Sequence, residues 1–208
     1  MKKPISQSRL RDVAHARFQK SIEVPQRFFQ AEAERISEVC LAMARCFHQG
    51  GRLLAFGAGN SVTDAQHISV EFVHPVIVGK RALPALALGS DIAATVGVSA
   101  SSYAQIYARQ VQTLGRAGDM ALGLDATGND QAVFAGLAAA AQQKMLTIAL
   151  TSGDGGQLAD APFVDFVFIV PAADQAVIQE THETLYHILW ELVHVFFEHK
   201  GLLEPDAS

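Results

Sequence analysis

With 208 residues, of which 50% are hydrophobic and 18% charged, the chain can bury one sizeable core or at most two small ones. Its net charge of −5 argues against a broad nucleic-acid-binding surface, which requires clustered Lys and Arg side chains. Pro, Gly or charged residues interrupt the longest apolar stretches, and no signal peptide is recognisable, so we expect no membrane span and a cytoplasmic location.

The first predicted element is a long helix over residues 5–49, with an interruption allowed near Pro25. From Phe28 to Phe47 its apolar residues recur every three to four positions, as on one face of a helix. Gly50 and Gly51 end this helix. We expect Cys40 and Cys46 to be free thiols that pack as small apolar residues.

Strands and helices then alternate along the chain, which is typical of a doubly wound parallel α/β sheet. Helices are predicted at 61–73, 92–98, 103–114 and 130–143, and a long apolar helix at 177–198 resembles those buried at subunit interfaces. We expect one domain, with residues 1–50 as a helical segment, 51–175 as the α/β core and 176–199 as a C-terminal interface helix. Five short apolar runs are predicted to be the strands: Leu53–Phe56, Ala85–Leu88, Met120–Leu124, Leu146–Leu150 and Val164–Val170.

Three polar, glycine-containing loops follow strands of this sheet, at Gly57–Ser61, Asp125–Asp130 and Thr151–Gly156. Ligands of open parallel sheets bind beyond the carboxyl ends of the strands, where the N–H groups of helix N-termini favour anions. Together the three loops predict a pocket at this edge, although each alone is more typical of a tight structural turn.

His67 and Glu71 lie four residues apart on the predicted helix 61–73, a rotation of about 40°, so they share a face. Such a pair can bind a divalent cation, act as acid and base, or form a surface contact. Gln179 and His187 share a face of the last helix, with Glu183 between them, but Glu180, His182, Glu191 and His194 offer competing polar faces. Periodicity alone does not select among them. His194 has no partner pattern and is expected at the surface or in an interface.

Several motifs together resemble a sugar isomerase (SIS) domain of the phosphoheptose isomerase group, from about residue 28 to the C-terminus. They are G-x-G-N-S-x-x-D-A-Q-H-x-x-x-E at 57–71, L-G-x-A-G-D at 114–119, A-T-G-N at 126–129, L-T-x-x-D-G-G at 150–156 and I-Q-E-x-H-x-x-x-x-H at 178–187. The resemblance implies a flavodoxin-like five-stranded sheet, a homotetramer, and the interconversion of sedoheptulose 7-phosphate with its aldose. It further implies a zinc site at His67, Glu71, Gln179 and His187, with Glu71 and His187 as base and acid.

The resemblance also implies substrate contacts from the first two loops and their neighbours. The implied residues are Gly59, Asn60, Ser61, Asp64, Asp125, Ala126, Thr127, Gly128, Asn129, Asp130 and Gln179. Asp125 and Asp130 stand where the family has serines that bind phosphate, Val98-Ser99 replaces an Asn-Asp pair, and His74-Pro75 stands near a lost arginine. The two aspartates either cap the following helix or select a substrate without a phosphate at this end.

Three functions remain open from the sequence. The leading hypothesis is a metal-dependent aldose–ketose isomerase acting on sedoheptulose 7-phosphate or a related sugar phosphate. The second is a non-catalytic sugar-phosphate-binding regulator or adaptor, similar to the DnaA-binding regulators of this fold. Those regulators typically lack the Glu and the second His that this chain has. The third is an isomerase for a non-phosphorylated or nucleotide-linked sugar.

Overall fold

A computed structural model describes residues 6–203 of the chain. Its centre is a parallel five-stranded sheet in the order β2-β1-β3-β4-β5. Leu53 of β1 pairs with Ala85 of β2 on one side and with Met120 of β3 on the other. The doubly wound, flavodoxin-like fold predicted from the sequence is therefore confirmed. The strands are β1 (Leu53–Gly57), β2 (Ala85–Ala87), β3 (Met120–Leu124), β4 (Leu146–Ser152) and β5 (Phe166–Val170).

The N-terminal helix α1 (Gln7–His48) runs without a break through Pro25. Ser6 caps it by accepting a hydrogen bond from the Arg9 N–H, and Ile5, the first residue of the predicted helix, lies outside the described residues. The proline costs one intrahelical hydrogen bond. The remaining bonds, together with packing from Phe28 onward, keep the helix continuous through that position.

Helices cover both faces of the sheet, because each parallel strand is apolar on both sides. One face packs against α1, α2 (Ser61–Val73) and α7 (Gln175–Glu198). The other face packs against α4 (Gln105–Leu114), α5 (Gln131–Gln142) and α6 (Gly156–Ala159), and α3 (Ile92–Ser99) contacts α4. A short 3-10 helix, Lys200–Leu202, follows α7. The sequence did not predict α6.

The C-terminal helix α7 buries its apolar side chains within this chain, mainly against α1 and also against α2 and β5. His194 lies in this buried layer, 2% exposed, with its ring nitrogens 2.8 Å from the Trp190 carbonyl oxygen and 2.9 Å from that of Arg81. The expectation of a surface or interface position for His194 is therefore wrong: the ring is enclosed within the fold between two backbone carbonyls, to one of which a ring N–H donates. Cys40 is buried, Cys46 is half-buried, and both are free thiols.

Within residues 6–203, every helix is too short or too polar to cross a membrane. The contact of α7 with α2 is the feature that concerns function. It brings the C-terminal helix beside the helix that follows β1, near the edge of the sheet where the strands end.

Candidate functional site

A cavity of about 460 Å³ opens at the carboxyl ends of β1 and β3. It falls in the size range of small-molecule sites. The loop after β1 and the loop after β3 form most of its wall, and Gln175 of α7 completes it. Its lining residues are Ala58, Gly59, Asn60, Ser61, Asp125, Ala126, Thr127, Asn129, Asp130 and Gln175.

The third glycine-containing loop, at 151–156, supports this cavity from behind and does not line it. The Ser152 hydroxyl donates to the Ala126 carbonyl, and the Leu158 N–H donates to the carbonyl of Gly128. Gly128 has φ +67° and faces this third loop: a Cβ added there would lie 1.9 Å from the Gly155 carbonyl oxygen. The predicted three-loop pocket is thus a two-loop pocket, and Gly128 shapes its wall from the back.

His67, Glu71 and His187 form a cluster between α2 and α7. Nε2 of His67 lies 3.3 Å from Oε1 of Glu71, and one donor atom from each of the three residues lies within 4.8 Å of the others. Two donors bound to one zinc ion at about 2.0–2.2 Å in tetrahedral geometry are about 3.4 Å apart. The His67–Glu71 pair already has that spacing, and a nitrogen–oxygen donor set suits zinc.

Gln179, the fourth predicted ligand, lies two turns before His187 on α7 and contacts α2 through Asp64. Its Nε2 donates to Oδ1 of Asp64 at 3.0 Å, which leaves the amide oxygen as the group that can face a cation. Asp64 is 4% exposed and its Oδ2 is buried without a hydrogen-bond partner, so burial raises the pKa of this carboxyl group. The donor chemistry of this helix pair therefore fits a divalent cation.

Two further residues of α7 contact His67 on the side opposite Glu71: Tyr186, which the sequence did not single out, and Glu183, which lies on the predicted face of Gln179 and His187 but was given no role. The Tyr186 hydroxyl lies 2.8 Å from Nδ1 of His67, and Oε1 of Glu183 lies 3.6 Å from the same nitrogen. Tyr186 is 2% exposed. Burial, and after it the carboxylates of Asp64, Glu183 and Glu71, raises the pKa of its phenol, so the hydroxyl stays protonated at neutral pH.

The competing polar residues of α7 lie elsewhere in the structure. His182 is 1% exposed and its Nε2 is 3.1 Å from the Thr151 carbonyl, to which it donates. Burial lowers the pKa of His182 to about 4, so the ring is neutral at physiological pH. Glu180 points away and pairs with Arg17 of α1 at 2.6 Å.

Asp125 and Asp130 bind backbone N–H groups of their own loop and helix. Asp130 is the N-cap of α5, and Asp125 accepts hydrogen bonds from the N–H groups of Thr127 and Asp130. The structure bears out the capping interpretation for Asp130, whereas Asp125 closes the loop before the helix and does not cap it. It does not exclude an effect on substrate choice, because both side chains also line the cavity.

Comparison with known proteins supports the assignment that the motifs suggested. The family profile of the SIS domain matches residues 18–152. The phosphoheptose isomerase of Thermodesulfovibrio yellowstonii is 37% identical over 191 residues, covering 91% of this chain and 94% of that protein. That of Aquifex aeolicus is 37% identical over 177 residues, covering 85% of this chain and 92% of that protein.

Solved structures agree. The phosphoheptose isomerase of Neisseria gonorrhoeae superposes with a TM-score of 0.81 at 31% identity, covering 88% of this chain and 98% of that one. The enzyme from Francisella tularensis gives a TM-score of 0.83 at 29% identity, with 88% and 97% of the two chains covered. The chain belongs to the SIS-domain family of phosphoheptose isomerases.

Proposed function

We propose that this protein is a metal-dependent aldose–ketose isomerase that acts on a seven-carbon sugar, sedoheptulose 7-phosphate or a close relative. The observation that carries the proposal is the cluster of His67, Glu71 and His187, contributed by two helices that are distant in sequence. Relatives named phosphoheptose isomerase, matched over most of both chains, support the reaction type.

The proposed metal is zinc, held by His67, Glu71, Gln179 and His187. When bound, the ion would polarise the carbonyl group of the sugar. The contacts of Gln179 and His67 support this ligand set, because each has a neighbour, Asp64 or Tyr186, that orients its donor atom.

Aldose–ketose isomerisation moves a proton between C1 and C2 and a second proton between the two oxygens. We assign the carbon proton to Glu71, since a carboxylate can remove it from one carbon and return it to the next. His187 would protonate and deprotonate the sugar oxygens. Its exposed position leaves the ring accessible to a ligand.

The loop residues would hold the rest of the sugar. Asn60 and Ser61 at the start of α2 and Thr127 after β3 line the cavity with amide and hydroxyl groups. Gly59, Ala126 and Asn129 would contribute through their backbones. Gln179, which bonds Asp64, lines a small neighbouring cavity together with Asn60 and Ser61.

A homotetramer in the cytoplasm is the proposed assembly, with no nucleic-acid or membrane partner. Exposed apolar residues around the edge strand β2 support self-association, since large exposed apolar patches mark protein contacts. They include Val76, Ile77, Val78, Leu86, Ile92 and Val96.

The proposal is tested by following ketose-to-aldose conversion with purified protein and added zinc, using sedoheptulose and its 7-phosphate. We expect turnover of at least one of the two sugars, and a loss of about 10²–10⁴-fold in Glu71→Gln, as for removal of a general base. The matched control is Glu191→Gln, which removes an exposed carboxylate of α7 that is not a proposed ligand. It should keep full activity.

The second candidate is a non-catalytic regulator that binds the sugar. The observation that favours it is the loop after β3, whose donors are bound to the chain's own carboxylates. Sugar binding without turnover, in protein that carries zinc, would select this function over the isomerase.

A further inference from the structure

The loop after β3 binds an anion that belongs to the chain itself. The carboxylate of Asp125 accepts from the Thr127 N–H at 3.0 Å, from the Asp130 N–H at 2.6 Å and from the Thr127 hydroxyl at 3.0 Å. Converging N–H and O–H groups in a loop before a helix are the groups with which proteins bind phosphate. Here a carboxylate that is 4% exposed already takes them.

The first N–H groups of α5 are likewise bound by a carboxylate of the chain, that of Asp130. Oδ1 of Asp130 accepts from the N–H groups of Ala132 at 2.9 Å and Val133 at 3.0 Å. Its Oδ2 accepts from the Tyr103 hydroxyl at 2.7 Å. The free N–H groups and positive dipole end of this helix therefore face a fixed negative charge of the chain.

The charge of the cavity lining also disfavours a bound phosphate. Among its lining residues, all within the described part of the chain, are two carboxylates, Asp125 and Asp130, and neither Lys nor Arg. A phosphate monoester carries a charge of about −1.5 to −2 at neutral pH. Placed in this cavity, it would meet like charges without a Lys or Arg side chain in the cavity wall to compensate them.

The remaining polar groups suit a neutral ligand. The amides of Asn60 and Gln175 and the hydroxyl of Ser61 also line the cavity. Each can donate and accept, as sugar hydroxyls do. The wall therefore combines hydrogen-bonding side chains with two negative charges. The side chains can bind the hydroxyl groups of a polyol, and the charges disfavour an anion.

On the basis of the proposed isomerase function, we propose that the sugar enters this cavity with an uncharged polyol end. The substrate is then a ketose without a phosphate at the end remote from its carbonyl, with free sedoheptulose the simplest example. Asp125 takes the place that a substrate phosphate would otherwise fill.

Calorimetric titration of the zinc-loaded protein with sedoheptulose and with sedoheptulose 7-phosphate tests this inference. We expect the wild-type protein to bind the free sugar at least tenfold more tightly than the phosphate ester. Binding of the ester with equal or greater affinity, or binding of neither sugar, would overturn the inference.

Two variants test the cause of this preference. Asp125→Asn and, in case the buried position does not tolerate the change, the half-exposed Asp130→Asn each remove one negative charge. Each folded variant should bind the 7-phosphate at least tenfold more tightly than the wild type, and equal affinity for the ester in variant and wild type would show that the carboxylate does not cause the preference. Asp91→Asn removes the N-cap carboxylate of α3, outside this cavity, and should change neither affinity.

The binding experiment and the activity assay can fail independently of each other. Absence of turnover with both sugars would count against the isomerase, whatever their order of affinity. A preference for the phosphate ester in binding would refute the polyol inference even if the protein proved to be an active isomerase.

Discussion

The hydroxyl of Tyr186 lies 2.8 Å from Nδ1 of His67, on the side of the imidazole opposite Glu71. A second oxygen, Oε1 of Glu183, faces the same nitrogen at 3.6 Å and, as a carboxylate, can only accept. The tautomer with its hydrogen on Nδ1 donates to the Tyr186 oxygen and also faces the Glu183 carboxylate, which lies just beyond hydrogen-bond distance. It leaves the lone pair of Nε2 directed toward Glu71, where a cation would bind.

Tyr186→Phe removes this orienting contact and leaves the four proposed ligands in place. We expect zinc affinity to fall about tenfold or more, as is usual when an outer-shell partner of a ligating histidine is lost. Competition with a chromophoric chelator measures the affinity. Tyr107→Phe, which removes a buried hydroxyl that donates to the Gly57 carbonyl on the other face of the sheet, is the matched control. Equal zinc affinity in Tyr186→Phe and wild type would show that the hydroxyl does not orient the ligand.

His182 should make the protein less stable in acid. Burial lowers its pKa from 6.5 to about 4 in the folded state, so between these values the unfolded chain binds more protons. The stability contribution is complete above pH 6.5 and is lost as the pH falls toward 4. From pH 7 to pH 5 this amounts to about 2 kcal/mol, at roughly 1.4 kcal/mol per pKa unit.

Urea unfolding at pH 7 and pH 5 measures the effect in the wild type and in His182→Gln, whose amide can still donate to the Thr151 carbonyl. The variant should lose about 2 kcal/mol less between the two pH values. An identical pH dependence in both proteins would mean that His182 does not titrate as its burial implies.

Alanine substitutions at Gly128 and Gly59 would distinguish the stability cost of steric crowding from that of backbone strain. Both have positive φ, but a Cβ at Gly128 would meet the Gly155 carbonyl oxygen, whereas a Cβ at Gly59 would meet nothing within 4 Å. Gly59→Ala should cost about 1–2 kcal/mol of unfolding free energy, the cost of the left-handed conformation alone. Gly128→Ala should cost about 2–5 kcal/mol, because overpacking adds to that strain. Chemical denaturation compares them, and equal losses would show that the contact between the two loops relaxes freely.

The sheet could be predicted almost completely, because a buried parallel strand is a short apolar run between polar turns. The pattern predicts β3 with the ends that the structure has, Met120–Leu124. The last strand begins two residues later than predicted, because the Val164 N–H closes a turn onto the Ala161 carbonyl. The four residues of α6 make about one turn, too short for a 3.6-residue period to be visible.

The candidate site could be predicted only in part. His67 and Glu71 share a face by spacing alone, but α7 carries polar residues on several faces. The packing of α7 on α2 decides that Glu183 and Tyr186 reach His67 while His182 is buried against β4. That contact joins positions more than a hundred residues apart, which local periodicity does not encode. The inward turn of Asp125 onto its own loop is likewise a tertiary feature.

The proposed function depends above all on the binding of one divalent cation by α2 and α7 together. Zinc content after equilibrium dialysis, measured for the wild type, His67→Ala and His187→Ala with circular dichroism to confirm folding, tests it directly. We expect about one tightly bound zinc ion per chain in the wild type and a loss of tight binding in each variant. A wild-type protein that binds no zinc, or folded variants that retain the full amount, would contradict the claim.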